Sequence, residues 1–229
     1  MNNYLIFGEI IAVFSALLLW KKLFGKDGLI AWVAVATVLA NIITAKNAEI
    51  FGLSTAIGTV MFASTFLATD ILNECYSKED AKRAVKIGLA ADVVLIIATQ
   101  IALLYVPSAF DYADGAMRTL FSLNLRISIA SAVMYFAANM GDVYLFDAIR
   151  RKTGGRMMWL RNNLSTILCN CLENFGFIWL AFYGIYSVKE ILIIAASTSI
   201  IEMIAALCDT PFLYLAKRSH EKNRLGKEN

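Results

Sequence analysis

The sequence predicts an all-α integral membrane protein with seven spans. They run with the N-terminus outside and the C-terminus inside. Three observations carry this. Of 229 residues, 59% are hydrophobic and only 17% charged, where a soluble domain would hold ~25% charged residues. Apolar stretches recur along the whole chain, most of them approaching the ~20 residues that a helix needs to cross a bilayer. Lysine and arginine alternate from loop to loop. Residues 21–27 carry three, 74–86 four, 148–161 five and the tail from 216 five, whereas the loops between them carry one each, Lys46, Arg118 and Lys189. The basic loops belong inside.

Taken in order, the apolar segments are about 4–20, 29–45, 52–73, 84–106, 122–147, 163–186 and 190–214. The first has no positive residue before it and no small-x-small site after it, but Lys21 and Lys22 follow, so it reads as a retained helix rather than a cleaved signal. The third ends in Asp70, Asn73 and Glu74, which share one face near the cytoplasmic end. Two roles stand open for them: pairing with Lys82, Arg83 or Lys86 of the next loop, or gating. Ser77 with Asp80 forms a capping pattern before the fourth segment, and Pro107 ends it. That segment holds Asp92 and Gln100, and loop 107–121, with Asp111 and Asp114, is external. The fifth carries Arg126 near its external end, then Ser128, Ser131, Tyr135, Asn139 and Asp142 at helical spacing. Such a stripe exceeds what helix-to-helix hydrogen bonding requires and suits a cavity lining. Ser187 and Glu190 form a second capping box, so a tight turn separates the last two spans. The seventh holds Ser199, Glu202 and Asp209. A cytoplasmic polar tail is expected over 216–229.

The sixth segment organises the rest. Thr166, Asn170, Glu173 and Asn174 fall on one helical face in the middle of an apolar span. A carboxylate there costs at least ~2.5 kcal/mol. With acids in segments four to seven, these groups either carry protons, face water or meet a donor-rich guest. A planar heterocycle with N–H donors fits. A guanine-like edge offers a ring N–H beside an amino group, and one carboxylate accepts both. Asn or Gln can meet the neighbouring carbonyl and ring nitrogen, and Phe175, Phe177 or Tyr135 can stack on the ring.

Other function classes find little support. His220 stands alone in the tail, and Cys75, Cys169, Cys171 and Cys208 read as small residues in or beside apolar segments, so no metal set assembles by spacing. There is no cofactor motif and no serine elbow of the G-x-S-x-G type, which argues against a membrane enzyme. No basic block with interleaved aromatics supports nucleic-acid binding. A proton- or ion-coupled carrier of another small cationic or heterocyclic solute is the main rival.

Ala68-Thr69-Asp70-Ile71-Leu72-Asn73-Glu74, Asp142-Val143-Tyr144-Leu145-Phe146 with Ile149-Arg150, Trp159-Leu160-Arg161-Asn162-Asn163 with Ser165-Thr166, and Asp209-Thr210-Pro211 together resemble the queuosine-precursor transporter family, which is grouped with vitamin uptake transporters. The resemblance runs from about residue 30 to 215 and implies a six-helix transmembrane transporter core over 29–215, with residues 1–28 as one extra N-terminal helix and basic loop. It implies a multi-pass protein of the bacterial plasma (inner) membrane. The cargo would be 7-deazaguanine bases, the 7-cyano or 7-aminomethyl precursors or queuine, for tRNA-modification salvage. It implies substrate contacts at Glu173, Asn139, Asn170, Asn174, Thr166, Tyr135, Asp142, Arg126, Glu202 and Asp209, with a cytoplasmic gating cluster of Asp70, Asn73 and Glu74. Glu173 stands where the family usually has Asp, Asn139 where it has Gln, and Glu202 where a basic residue is expected; an added acid there suits a cationic substituent. Proton symport, facilitated diffusion and docking to an ATPase module are all compatible with the sequence, as is a homo-oligomer.

Overall fold

The computed structural model describes residues 1–121 and 125–225, without the side chains of Ser54, Leu125, Arg126, Ser128 and 223–225. Arg126 and Ser128, both singled out above, therefore lie outside the described side chains. The described elements are α1 (Asn2–Ile43), β1 (Asn47–Ile50), β2 (Leu53–Ala56), α2 (Thr59–Cys75), α3 (Lys78–Leu104), α4 (Asp114–Phe121), α5 (Leu125–Lys152), α6 (Met158–Phe182) and α7 (Val188–Leu225).

Helix α1 joins the first two apolar segments. Its 42 residues would make a rod of ~63 Å at 1.5 Å per residue, twice the ~30 Å hydrocarbon thickness. The rod is broken at Gly25 (φ 63°, ψ −135°), a conformation that glycine adopts freely and other residues do not. The two arms run antiparallel. Asn2 Nδ2 donates to Glu49 O at 3.0 Å, Phe51 N donates to Asn3 Oδ1 at 2.8 Å, and the Trp20 and Trp32 rings meet at 5.8 Å. The first arm is part of the core: Phe14 and Leu17 are fully buried, Phe14 packs edge-on against Phe212, and Lys21 Nζ donates to Ala216 O.

Residues 52–56, expected to open the third span, instead belong to a β-hairpin, with Ile50 opposite Leu53. Phe51 (φ 52°) and Gly52 (φ 77°) form its turn. Two consecutive left-handed residues match the twist of paired strands. The apolar run Ile50-Phe51-Gly52-Leu53 is too short to reveal its period.

Helix α2 is the centre of the bundle. Fourteen of its 17 residues are buried, and it packs against α1, α3, α5 and α7. Five of the described helices, α1, α3, α5, α6 and α7, are long and apolar enough to cross a membrane. Side chains such as Val94, Ile97 and Ile101 of α3 lie exposed on the outside of the bundle, as a lipid-facing surface requires. The two capping boxes form: Asp80 N donates to Ser77 Oγ at 3.1 Å, and Ser187 N donates to Glu190 Oε2 at 2.8 Å. Pro211 lies inside α7, and the helix runs on through residue 216 to Leu225, so the polar tail begins as helix.

One end of the bundle collects the basic loops and is laced by ion pairs, including Lys26–Asp80 at 3.1 Å and Lys78–Asp147 at 2.9 Å. The other end holds the hairpin, α4 and the α6–α7 turn. There Gln100 joins α3 to the α4 region by donating to Phe121 O, and Asp111 Oδ1 accepts from Ala113 N at the start of α4.

Candidate functional site

At the hairpin end the bundle is open. A cavity of about 830 Å³ lies between the second arm of α1, the hairpin, α5, α6 and α7, within the ~300–1,000 Å³ typical of small-molecule sites. Its wall carries Glu173, Asn174 and Phe177 from α6, Glu202 from α7, Ser131 and Tyr135 from α5, and Asn41 from α1. Helical spacing accounts for the set: Glu173, Asn174 and Phe177 are one helical face, as are Ser131 and Tyr135.

The polar groups on this wall are unevenly satisfied. Asn174 Nδ2 donates to Glu202 Oε2 at 2.6 Å and lies 3.3 Å from Ser199 Oγ. Thr37 Oγ1 donates to the Tyr135 hydroxyl at 3.1 Å, and Asn41 Nδ2 donates to Asp92 Oδ1 at 2.7 Å. Glu173 Oε2 is buried and meets no hydrogen-bond partner among the described residues. An unpaired carboxylate oxygen in a low-dielectric wall is costly, so it marks a place where a donor is wanted. Among the aromatic residues, Phe177 faces the cavity and stands 6.3 Å from Phe182, whereas Phe175 is 38% exposed and absent from the wall.

Below the cavity the polar faces continue into a closed interior. Asn139 donates to Tyr135 O at 3.1 Å and accepts from Thr65 at 3.3 Å; it is buried and does not line the cavity. Asn170, 2% exposed, has no partner for either side-chain amide atom among the described residues. Thr166 Oγ1 lies 3.3 Å from Asp142 Oδ1 and 3.5 Å from Asp70 Oδ2, so two buried carboxylates share one hydroxyl. Asp209 accepts from Asn162 Nδ2 at 2.5 Å, and Thr210 takes amide donors from Asn162 and Asn163. The predicted residues thus separate into a cavity group (Glu173, Asn174, Tyr135, Glu202) and a buried group (Asn139, Asn170, Thr166, Asp142, Asp209).

At the basic end, Glu74 is clamped. It accepts from Arg161 at 2.5 Å and Lys217 at 2.7 Å, with Arg150 at 4.0 Å. Of the two roles left open by the sequence, pairing with Lys82, Arg83 or Lys86 is not found for Glu74 among the described residues: Lys82 pairs with Glu79 and lies over the Tyr144 ring. The reason is direction. Glu74 points inward from α2, to where α5, α6 and α7 deliver their basic ends, whereas residue 82 lies a turn along α3. Arg161 is fully buried, donates also to Gly155 O and Arg156 O, and stacks over Phe146 at 5.3 Å. Arg150 donates to Asn73 O, and Asn73 donates to Val143 O. Asp70, Asn73 and Glu74 therefore sit on one buried helical face running from the shared hydroxyl to the clamp.

Sequence reasoning missed the hairpin wall and Asn41. A polar residue one turn after Thr37 in the second apolar segment was the available signal for Asn41.

Residues 56–216 match the family described as "Putative vitamin uptake transporter". The chain belongs to this family. Among curated relatives, one from Bacillus subtilis (strain 168), named "Probable queuosine precursor transporter", is 38% identical over 95% of this chain and 95% of its own length. One from Escherichia coli (strain K12), named "Queuosine precursor transporter", is 28% identical over 75% of this chain and 73% of its own. No solved structure matches. The family match spans α2 to α7 and so includes Glu173, Glu202, the shared-hydroxyl cluster and the Glu74 clamp; Asn41 and the first helix precede it.

Proposed function

We propose that this chain imports queuosine precursors, the 7-deazaguanine bases that feed tRNA modification, across the bacterial plasma membrane. The two arms of α1 with α2, α3, α5, α6 and α7 make seven spans. The basic end is cytoplasmic by the positive-inside rule. The cavity then opens outward and the clamp closes the inner side.

One observation carries the reading: an unpartnered Glu173 oxygen on the wall of a roomy, aromatic-edged cavity. A carboxylate there can accept the ring N–H and amino group of a guanine-like base together. Phe177 and Tyr135 supply flat surfaces for the ring. Asn170, a turn before Glu173 with its amide idle, is placed to receive the ring carbonyl as the base descends. Inward release requires the Glu74–Arg161–Lys217 clamp to open, since it seals the path between α2, α6 and α7. This is alternating access between an outer cavity and an inner ion-pair seal, with no bond made or broken in the cargo.

The test is uptake into proteoliposomes of a panel of 7-deazaguanines with guanine as control. The deazaguanines are expected to accumulate and to compete with one another. Indifference to all of them, with guanine or an unrelated cation carried instead, would overturn the assignment.

A further inference from the structure

The cavity holds more carboxyl groups than a neutral base can use. Glu173 and Glu202 both line it, and among the described residues no lysine, arginine or histidine does. A guanine-like edge has two donors side by side, and one bidentate carboxylate satisfies both. That assigns one acid to the edge and leaves the other. Of the two acids, Glu173 has the buried oxygen, Oε2, that meets no donor among the described residues, so it takes the edge. Glu202, 6% exposed, receives the Asn174 amide at 2.6 Å and no other donor among the described residues. A single neutral donor orients a carboxylate but does not balance its charge in a low-dielectric wall. Phe182 and Tyr186, with ring centroids 5.4 Å apart, also line the cavity and add π-faces that attract cations.

We infer that Glu202 is a specificity-determining residue, and that the preferred cargo is a planar guanine-like base bearing a protonated amine, which Glu202 pairs with while Glu173 holds the ring edge. This rests on the base-import reading above and adds the sign of the cargo's charge to it. The recognition is electrostatic: an ammonium gains a charge-assisted hydrogen bond at Glu202, whereas a nitrile substituent can only accept and so meets the carboxylate lone pairs unfavourably.

The experiment measures binding of the 7-aminomethyl and 7-cyano 7-deazaguanines to the purified full-length protein in detergent, comparing wild type with Glu202→Gln and Glu202→Asp. Wild type is expected to favour the amine by about tenfold or more, the scale of one hydrogen bond to a charged group. Glu202→Gln keeps an acceptor for Asn174 but loses the charge, so the ratio should fall to about one through weaker amine binding, with the nitrile unchanged. Glu202→Asp should retain a preference for the amine. An unchanged ratio in Glu202→Gln, or equal loss of both bases, would overturn the role of Glu202. Equal wild-type affinity for the two bases sinks this inference but leaves base import standing; binding of neither base sinks both. Glu173→Gln separates them further, since it should weaken both bases alike.

Discussion

Glu74 and Glu173 are the same side chain placed at opposite ends of one bundle, and they are treated in opposite ways. Glu74 meets three cationic side chains from three different elements. Glu173 meets none, and one of its oxygens is left without a donor among the described residues. The Glu74 side chain is 2% exposed and Glu173 Oε2 is buried in the cavity wall, and an ionised carboxylate in either place carries a desolvation cost. At the basic end the protein's own cations offset it, and the result is closure. At the hairpin end the cost is left standing, which is what a site awaiting a donor-bearing guest looks like.

The largest expected effect lies on the unpaired side. Glu173→Ala should bring uptake of 7-deazaguanines to background while the protein still inserts and purifies as a folded species; retained uptake would erase the contrast. On the paired side, Arg161→Ala leaves Glu74 partly unpaired in the interior, and a loss of ~3–5 kcal/mol is expected. Thermal unfolding in detergent reads this, and a shift no larger than that of a surface substitution would show that the clamp is not structural. Next comes Gly25→Ala, which forces an L-residue into a left-handed conformation at the α1 reversal for ~1–3 kcal/mol. Lys217, 37% exposed on its side chain, is screened by water, so Lys217→Ala should cost ~1 kcal/mol or less. A cost equal to that of Arg161 would mean that the clamp acts as one indivisible unit. Smallest of all, Phe175→Ala on the outer face should change neither uptake nor melting beyond ~0.5 kcal/mol.

Much of this arrangement was legible in the sequence. Hydropathy and loop charge outlined the helices, because lipid requires long apolar runs and loop lysines and arginines set the ends. The polar faces of α5 and α6 were visible because helical spacing converts residue numbers directly into directions. What spacing does not show is depth. Tyr135, Asn139 and Asp142 share one stripe, yet the first reaches the cavity and the other two lie in the closed interior, because the bundle tightens around α2. Nor does it show partners far apart in the chain. Arg161 and Glu74 are separated by 87 positions, and nearby lysines offered a shorter, mistaken solution. The hairpin escaped notice because four-residue strands around Phe51-Gly52 carry too little periodicity to stand apart from an apolar helix start.

Asn2 and Asn3 hold the hairpin that frames the cavity mouth, and Phe7 packs against Phe51 at its tip. Whatever is fused ahead of Met1 therefore sits beside the entrance, whereas α7 carries the chain to Leu225 at the opposite end. An affinity tag at the front should obstruct loading and mimic a defective binding site, and the same tag at the rear should be harmless.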